Sequence, residues 1–230
     1  MILVIKISGE GLSENNEKYT ESILASISEQ IKILLKEGHQ IALMIGGGNL
    51  FRGKELAGVL GIARTTADYI GILATVQNAL VLRDYLESTN ISVRVSSAIA
   101  MPQVCEEYIP KRVARHMEKG RVVIFAGGIG LPYFSTDTCA AQRALEINAD
   151  LLIMAKNDVS GIYSADPKKD TSAKFIKEIT ASQAIKLNLN VADLAAMGLA
   201  KESGLTIKII PTDKIDDALN PDIGSIIKPE

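Results

Sequence analysis

This chain of 230 residues has no excess of either charge. Its 25 Lys and Arg stand against 27 Asp and Glu, a formal net charge of -2, which supplies no basic field for wrapping nucleic acid. No apolar run approaches the roughly 18 residues that a membrane span needs. The opening MILVIKISGE is apolar, but it lacks a basic flank and a small-residue cleavage site, so it reads as a first strand and not as a signal peptide. Cysteine is scarce: Cys105 and Cys139 have no metal-ligand or disulfide-framework spacing. Both thiols read as small core residues, and a reduced cytoplasm is the simplest compartment. The two histidines, His39 and His116, fall in helix or helix-end contexts, where surface positions are expected. There is no internal repeat, low-complexity run or composition break, so one continuous sheet is expected.

Short apolar runs alternate with longer amphipathic stretches. ILVIKI (2–7), IALMI (41–45), ISVRV (91–95), RVVIFA (121–126) and DLLIMA (150–155) read as strands buried on both faces. Ile23, Ile27, Ile31, Leu34 and Leu35 recur at helical spacing, and Gly38 closes that segment. A second helix over about 65–87 is apolar on more than one stripe, which fits either a buried helix or a surface shared between subunits. Further helices are expected over about 104–119, 137–148, 180–187 and 192–203. The segment NDVSGIYSADPKKDTSAKFIKEI (157–179) reads as a loop-and-hairpin excursion, and LTIKII as a late strand. This alternation predicts an α/β fold with a mainly parallel, doubly wound sheet.

In such a sheet, ligands gather at the carboxyl ends of the strands. The first strand exits into Lys6-Ile7-Ser8-Gly9-Glu10. The second exits into Gly46-Gly47-Gly48 with Arg52 just beyond, the fourth into AGGIGLPYFSTD, and the fifth into KNDVSGIYSADP. Glycines let backbone N–H groups approach an anion closely. Arg52 offers a planar fork for two phosphate oxygens, and Lys6 a point charge. Ser135-Thr136-Asp137 reads as a helix start, where free N–H groups and the helix dipole favour negative charge. The exits together describe a phosphate seat. Neither G-x-x-x-x-G-K-[ST] nor G-x-G-x-x-G opening a helix after the first strand is present. GGIGLP has Rossmann-like glycine spacing, but it lies on the fourth strand and is followed by Pro132.

KISGE, IGGGNLFRG, ADYIGILATVQNAL, GLPYFSTDT and GIYSADPKKD resemble, in order, the motifs of the bacterial-type uridylate (UMP) kinases of the amino acid kinase superfamily. The resemblance runs from Lys6 to the LNVADLAAMGLA segment. It implies a three-layer α/β/α sandwich in a single domain, 1–230. The half at about 1–150 would take the acceptor UMP, and the half at about 151–230 the donor ATP. It implies transfer of the γ-phosphoryl of ATP to UMP, with Mg²⁺ carried on the ATP phosphates and no separate protein metal site. Lys6, Ile7, Ser8 and Gly9 would hold the donor phosphates, with Gly48 close to both nucleotides. Gly47 and Arg52 would hold the UMP phosphate, Arg52 reaching the donor as well. Asp68 would bind the ribose. The loop Ile129, Gly130, Leu131, Pro132, Tyr133, Phe134, Ser135 and Thr136 would hold the uracil and, through Thr136, the acceptor phosphate. Asp137 would orient Lys6 and the metal-bound phosphates, so that Lys6, Arg52 and Asp137 form the catalytic set. Asn157, Tyr163 and Asp166 would surround the adenosine. Relatives assemble as homo-oligomers, typically hexamers built as trimers of dimers, and UTP feedback is common among them.

Two departures stand out. The family's Gly-Thr-Gly-Asn-Pro is here Gly128-Ile129-Gly130-Leu131-Pro132, with two polar side chains replaced by aliphatics. The glycine-rich stretch that relatives carry after KISGE, linked to GTP activation, is here Leu12 to Glu17. Other readings stay open on the residues alone: another kinase of the superfamily, or a non-catalytic nucleotide-binding or oxyanion-storage protein. Asp137 and Asp193 could be helix caps, Asp68 a solvated acid, Tyr163 a hairpin packing residue and Asp166 a turn residue.

Overall fold

The computed structural model describes residues 1–14, 17–51, 61–157, 159–167, 169–189 and 192–230. Arg52 therefore lies outside the described residues. In chain order the elements are β1 (Ile2–Ile7), α1 (Glu21–Lys36), β2 (Gln40–Ile45), α2 (Arg64–Ser88), β3 (Val93–Ser97), β4 (Glu106–Glu107), α3 (Pro110–Glu118), β5 (Val122–Ala126), α4 (Thr136–Glu146), β6 (Leu151–Lys156), β7 (Ile162–Tyr163), β8 (Phe175–Ile176), β9 (Glu178–Thr180), α5 (Ala181–Lys186), α6 (Leu194–Ser203), β10 (Ile207–Pro211) and β11 (Ser225–Lys228). Two 3₁₀ turns, at Gly9–Leu12 and Thr212–Lys214, follow β1 and β10.

Among the described residues, nine strands form one sheet in the order β4-β3-β5-β2-β1-β6-β10-β11-β9. Every neighbouring pair is parallel except β10 with β11. The hairpin β7–β8 stands apart. Because side chains alternate along a strand, the sheet builds two cores. Leu3, Ile5 and Ile7 point into one with Ile41, Leu43 and Ile45, under α1 and α2. Val4, Ala42, Met44, Leu152 and Met154 point into the other, under α3, α4 and α6. This is the expected α/β/α sandwich. β1 lies between β2 and β6 near the middle of the sheet, and α4 packs over it.

The expected boundaries shift in two places. The helix expected over 104–119 begins at Pro110, whose missing N–H suits the first helical position. Ahead of it, Glu106 and Glu107 pair with Ser96 and Ser97 at the sheet edge. The third strand runs Val93–Ser97, two residues later than the apolar run suggests, because Asn90 turns out of α2 with φ +66°. His39 and His116 are also more covered than expected, with side chains 12% and 15% exposed and in contact with Glu37 and Glu106 respectively. Cys139 is buried, whereas Cys105 is only partly so.

Candidate active site

The exits of β1 and β2 meet backbone to backbone. Gly46 N–H donates to the Ile7 carbonyl at 2.9 Å. A Cβ on Gly9 would lie 2.3 Å from the Gly48 nitrogen, and one on Gly46 would lie 2.8 Å from the Gly9 nitrogen. Glycine is required here because no side chain fits between the two turns. The Glu10 carboxylate rests against Gly48, 2.9 Å from where its Cβ would stand.

Behind the triple glycine, α2 supplies a polar anchor that the sequence reading did not single out. Asn78 is fully buried and donates to the Gly46 carbonyl and to Asn49 Oδ1, both at 2.7 Å. Its own Oδ1 accepts from Tyr19 Oη at 2.7 Å and from the Asn49 amide at 3.3 Å. One turn earlier, the buried Thr75 hydroxyl accepts the Gly127 N–H at 2.9 Å, tying the exit of β5 to the same helix. Only their neighbourhood to GGGN and to AGG in space distinguishes these residues, and a helical pattern alone does not reveal that.

The loop after β5 turns on Gly127, Gly128 and Gly130, with φ of +73°, +58° and +82°. Arg143, buried beneath it in α4, donates to the Gly128 carbonyl at 3.1 Å and to Glu146 at 2.6 Å. Asp68 is no solvated acid. One carboxylate oxygen accepts from Arg64 Nε at 2.8 Å and the other from the Tyr133 N–H at 2.9 Å. Tyr133 adopts φ +69° there, an uncommon conformation for a bulky residue and one found at ligand clamps.

At the start of α4 the N-cap is Ser135, whose hydroxyl accepts the N–H groups of Asp137 and Thr138. Asp137 is thus not the cap. Its Oδ1 lies 2.8 Å from Lys6 Nζ, the two side chains being 17% and 9% exposed. Among the described residues no hydrogen-bond donor is aligned on that buried oxygen, and the Lys6 ammonium lies beside it. Asp193 caps α6 through the Ala196 N–H at 2.7 Å and also binds the Ser135 and Thr138 hydroxyls. Burial pushes its carboxyl up, but hydrogen bonds from Ser135, Ala196 and Thr138 outweigh that and hold it below the ordinary carboxylate range.

Two cavities open among the strand exits. One, of about 200 Å³, is lined by Gly47, Gly48, Asp68, Phe134, Ser135 and Thr136. The other, of about 420 Å³, is lined by Lys156, Gly161, Tyr163, Asp166 and Leu189. Of the residues expected around the uracil, Ile129 lines a groove between α4 and α6 instead, and Leu131 projects into solvent. Asn157 bonds the Glu10 carbonyl at 3.0 Å and Thr212 at 2.9 Å, joining the exits of β1, β6 and β10. Tyr163 both lines the larger cavity and packs edge-to-face on Phe175, centroids 5.4 Å apart. Asp166 accepts at its carbonyl from Lys169 and Asp170, so it is a turn residue as well as a cavity residue. Among the described residues, no three His, Cys, Asp or Glu are grouped as a metal site.

A glycine turn, a lysine and a helix N-terminus thus stand together at the carboxyl ends of the strands of this sandwich. The chain belongs to the amino acid kinase family, whose model, described as "Amino acid kinase family", matches residues 1–211. Within it, the chain is 46% identical over 218 residues to a protein named uridylate kinase from Tropheryma whipplei, covering 95% of this chain and 94% of that one. The structure of a UMP kinase from Bacillus anthracis superposes with a TM-score of 0.95 at 36% identity, covering 100% of this chain and 96% of the other. A UMP kinase structure from Ureaplasma parvum gives 0.92 at 34% identity, covering 99% and 98%.

Proposed function

We propose that this chain is a uridylate kinase that moves the γ-phosphoryl group of ATP onto UMP in line, with no general base. The observation that carries this reading is the 2.8 Å Lys6–Asp137 pair, with Thr136, next to Asp137, lining one cavity and Lys156, at the end of the strand beside β1, lining the other. UMP takes the smaller cavity, its phosphate on the glycine turn and Thr136 and its ribose at Asp68. ATP takes the larger, its phosphates over Ser8 and Gly9 and its adenosine near Asn157, Tyr163 and Asp166. Residues before about 150 serve the acceptor and those after it the donor.

A phosphate monoester has a second pKa near ~6, so the acceptor is already a competent nucleophile at neutral pH. What remains is alignment and charge stabilisation, which fixed amides and a buried lysine provide. Both histidines stand near the amino ends of strands, His39 before β2 and His116 before β5, away from these exits. The donors present fit a magnesium ion that arrives on ATP, with Asp137 beside the phosphates and Lys6 sharing their charge. When bound, the metal neutralises charge on the β- and γ-oxygens. Since Ile129 faces the second core, uracil is read by the backbone of the 128–133 turn and not by the side chains at 129 and 131.

The exposed Tyr69 and Leu73 on α2 support a subunit contact within a homohexamer arranged as a trimer of dimers. UTP, sharing the uridine moiety, competes at the acceptor cavity as a feedback inhibitor. The compartment is the cytoplasm, which suits two free cysteines; among the described residues no helix is long and apolar enough to cross a membrane. A coupled ADP-release assay with UMP, CMP and dTMP tests the central reading. Turnover is expected with UMP, and no turnover with any of the three would overturn it.

A further inference from the structure

The turn after β5 is supported from beneath by a buried ionic network. Gly127, Gly128 and Gly130 all stand at positive φ, so the peptide planes between them rotate at little cost unless something holds them. The Gly127 N–H is held by Thr75, and the Gly127 carbonyl accepts the Gly130 N–H at 2.8 Å. The Gly128 carbonyl is held by Arg143, whose side chain is 7% exposed. Because a peptide is planar, fixing that carbonyl also fixes the direction of the Ile129 N–H. Arg143 is itself fixed. Its other prong donates to Glu146 at 2.6 Å, and its guanidinium carbon lies 3.7 Å from the centre of the Tyr108 ring. The Tyr108 hydroxyl and the Gln142 amide also donate to Glu146, and Tyr108 packs edge-on against Phe125 of β5. Burial raises the pKa of Glu146, but the hydrogen bonds from Gln142, Tyr108 and Arg143 outweigh it and hold the carboxyl below its ordinary range.

We propose that Arg143, held by Glu146 and Tyr108, is the positioning residue for pyrimidine discrimination: it locks the peptide between residues 128 and 129 in the orientation that accepts uracil and refuses cytosine. The inference rests on the reading of the smaller cavity, which Gly128 lines, as the acceptor site. Along its pairing edge uracil offers an N3–H donor and an O4 acceptor, whereas cytosine offers a bare N3 and an amino group. A backbone carbonyl and a backbone N–H tell these patterns apart by direction alone. A flipped peptide exchanges carbonyl for N–H, and with them the preferred base. The side chains of Ile129 and Leu131 carry no polar group that would correct such a flip. A planar guanidinium suits the task, because one prong takes the carbonyl, the other the carboxylate, and its flat face lies on the ring.

The test measures ADP release with UMP and with CMP for wild type, for Arg143→Met, and for Arg143→Met combined with Glu146→Leu. The double variant leaves no buried carboxylate without its partner, so it decides the matter if the single variant does not fold. Wild type is expected to prefer UMP. Loss of the clamp is expected to lower that preference, taken as the ratio of the two kcat/KM values, by about tenfold while the KM for ATP stays within about twofold. The loss should fall on the KM for UMP more than on kcat. A merely structural role would instead lower turnover of UMP and CMP together and raise the KM for ATP in step. That result would overturn the proposal, as would an unchanged UMP preference in the folded double variant or a wild type with no preference between the two bases. Absence of turnover in the wild type with either nucleotide would instead sink the kinase reading itself, so the two failures are distinguishable.

Discussion

The two rims of the site are built differently. On the rim proposed for the acceptor, each loop is tied down by a buried polar side chain from a helix: Asn78 on the Gly46 carbonyl, Thr75 on the Gly127 N–H, and Arg143 on the Gly128 carbonyl. The rim proposed for the donor carries the hairpin β7–β8, two residues per strand, whose contacts include one edge-to-face ring pair and the Ser164–Lys174 bonds. Buried, fully satisfied hydrogen bonds in a low dielectric specify one geometry, whereas a short exposed hairpin specifies a shape. The contrast matches what each substrate asks. A nucleophile must be aligned to a fraction of an ångström, while a donor nucleoside need only be retained.

Substitutions can break or sharpen that contrast. The largest effect is expected at the residue both rims share: Lys6→Met should lower kcat by about 10²–10³ with far smaller changes in either KM, read by ADP release. On the acceptor rim, Asn78→Ala strips the Gly46 carbonyl and the Tyr19 hydroxyl of partners. It should cost about 1–3 kcal/mol in urea unfolding and raise the KM for UMP more than that for ATP. Tyr163→Ala on the donor rim removes a ring pair worth about 0.5–1.5 kcal/mol. It should raise the KM for ATP severalfold while leaving UMP binding alone. If the two variants shift the same KM, the division of labour between the rims is wrong. Asp193→Asn, which sits between them, should show the smallest effect and one that depends on pH. The wild-type carboxyl is held below its ordinary pKa, so its stabilising share is present above about pH 4 and vanishes as pH falls through the depressed value. The stability gap between wild type and Asp193→Asn, followed by thermal melts from pH 7 downward, should therefore close in acid.

Much of this was legible in the sequence for physical reasons. Strands buried on both faces read as unbroken apolar runs, so β1, β2, β5 and β6 were found nearly to the residue. The short elements β4, β9 and β11, of two to four residues, carry no such signal, and Glu106-Glu107 sits inside what periodicity suggested was helix. Glycine and lysine at strand exits announced the site, and the structure brings Lys6, Gly9, Gly47, Gly48, Thr136 and Asp137 to one edge. The supports beneath them did not announce themselves. Asn78, Thr75 and Arg143 are polar residues in helices, and only tertiary contact makes them anchors.

The placement of β1 in mid-sheet bears on how the chain is made. Its first partner, β2, is complete by residue 45, but its second, β6, spans residues 151–156. At about 5–20 residues per second of synthesis, the far side of β1 waits on the order of ten seconds on the ribosome with its amides and carbonyls unpaired. Such an open edge invites pairing with other chains. The nascent protein therefore passes through a stage in which protection from aggregation must come from a chaperone or from the ribosome itself, because its own sixth strand does not yet exist.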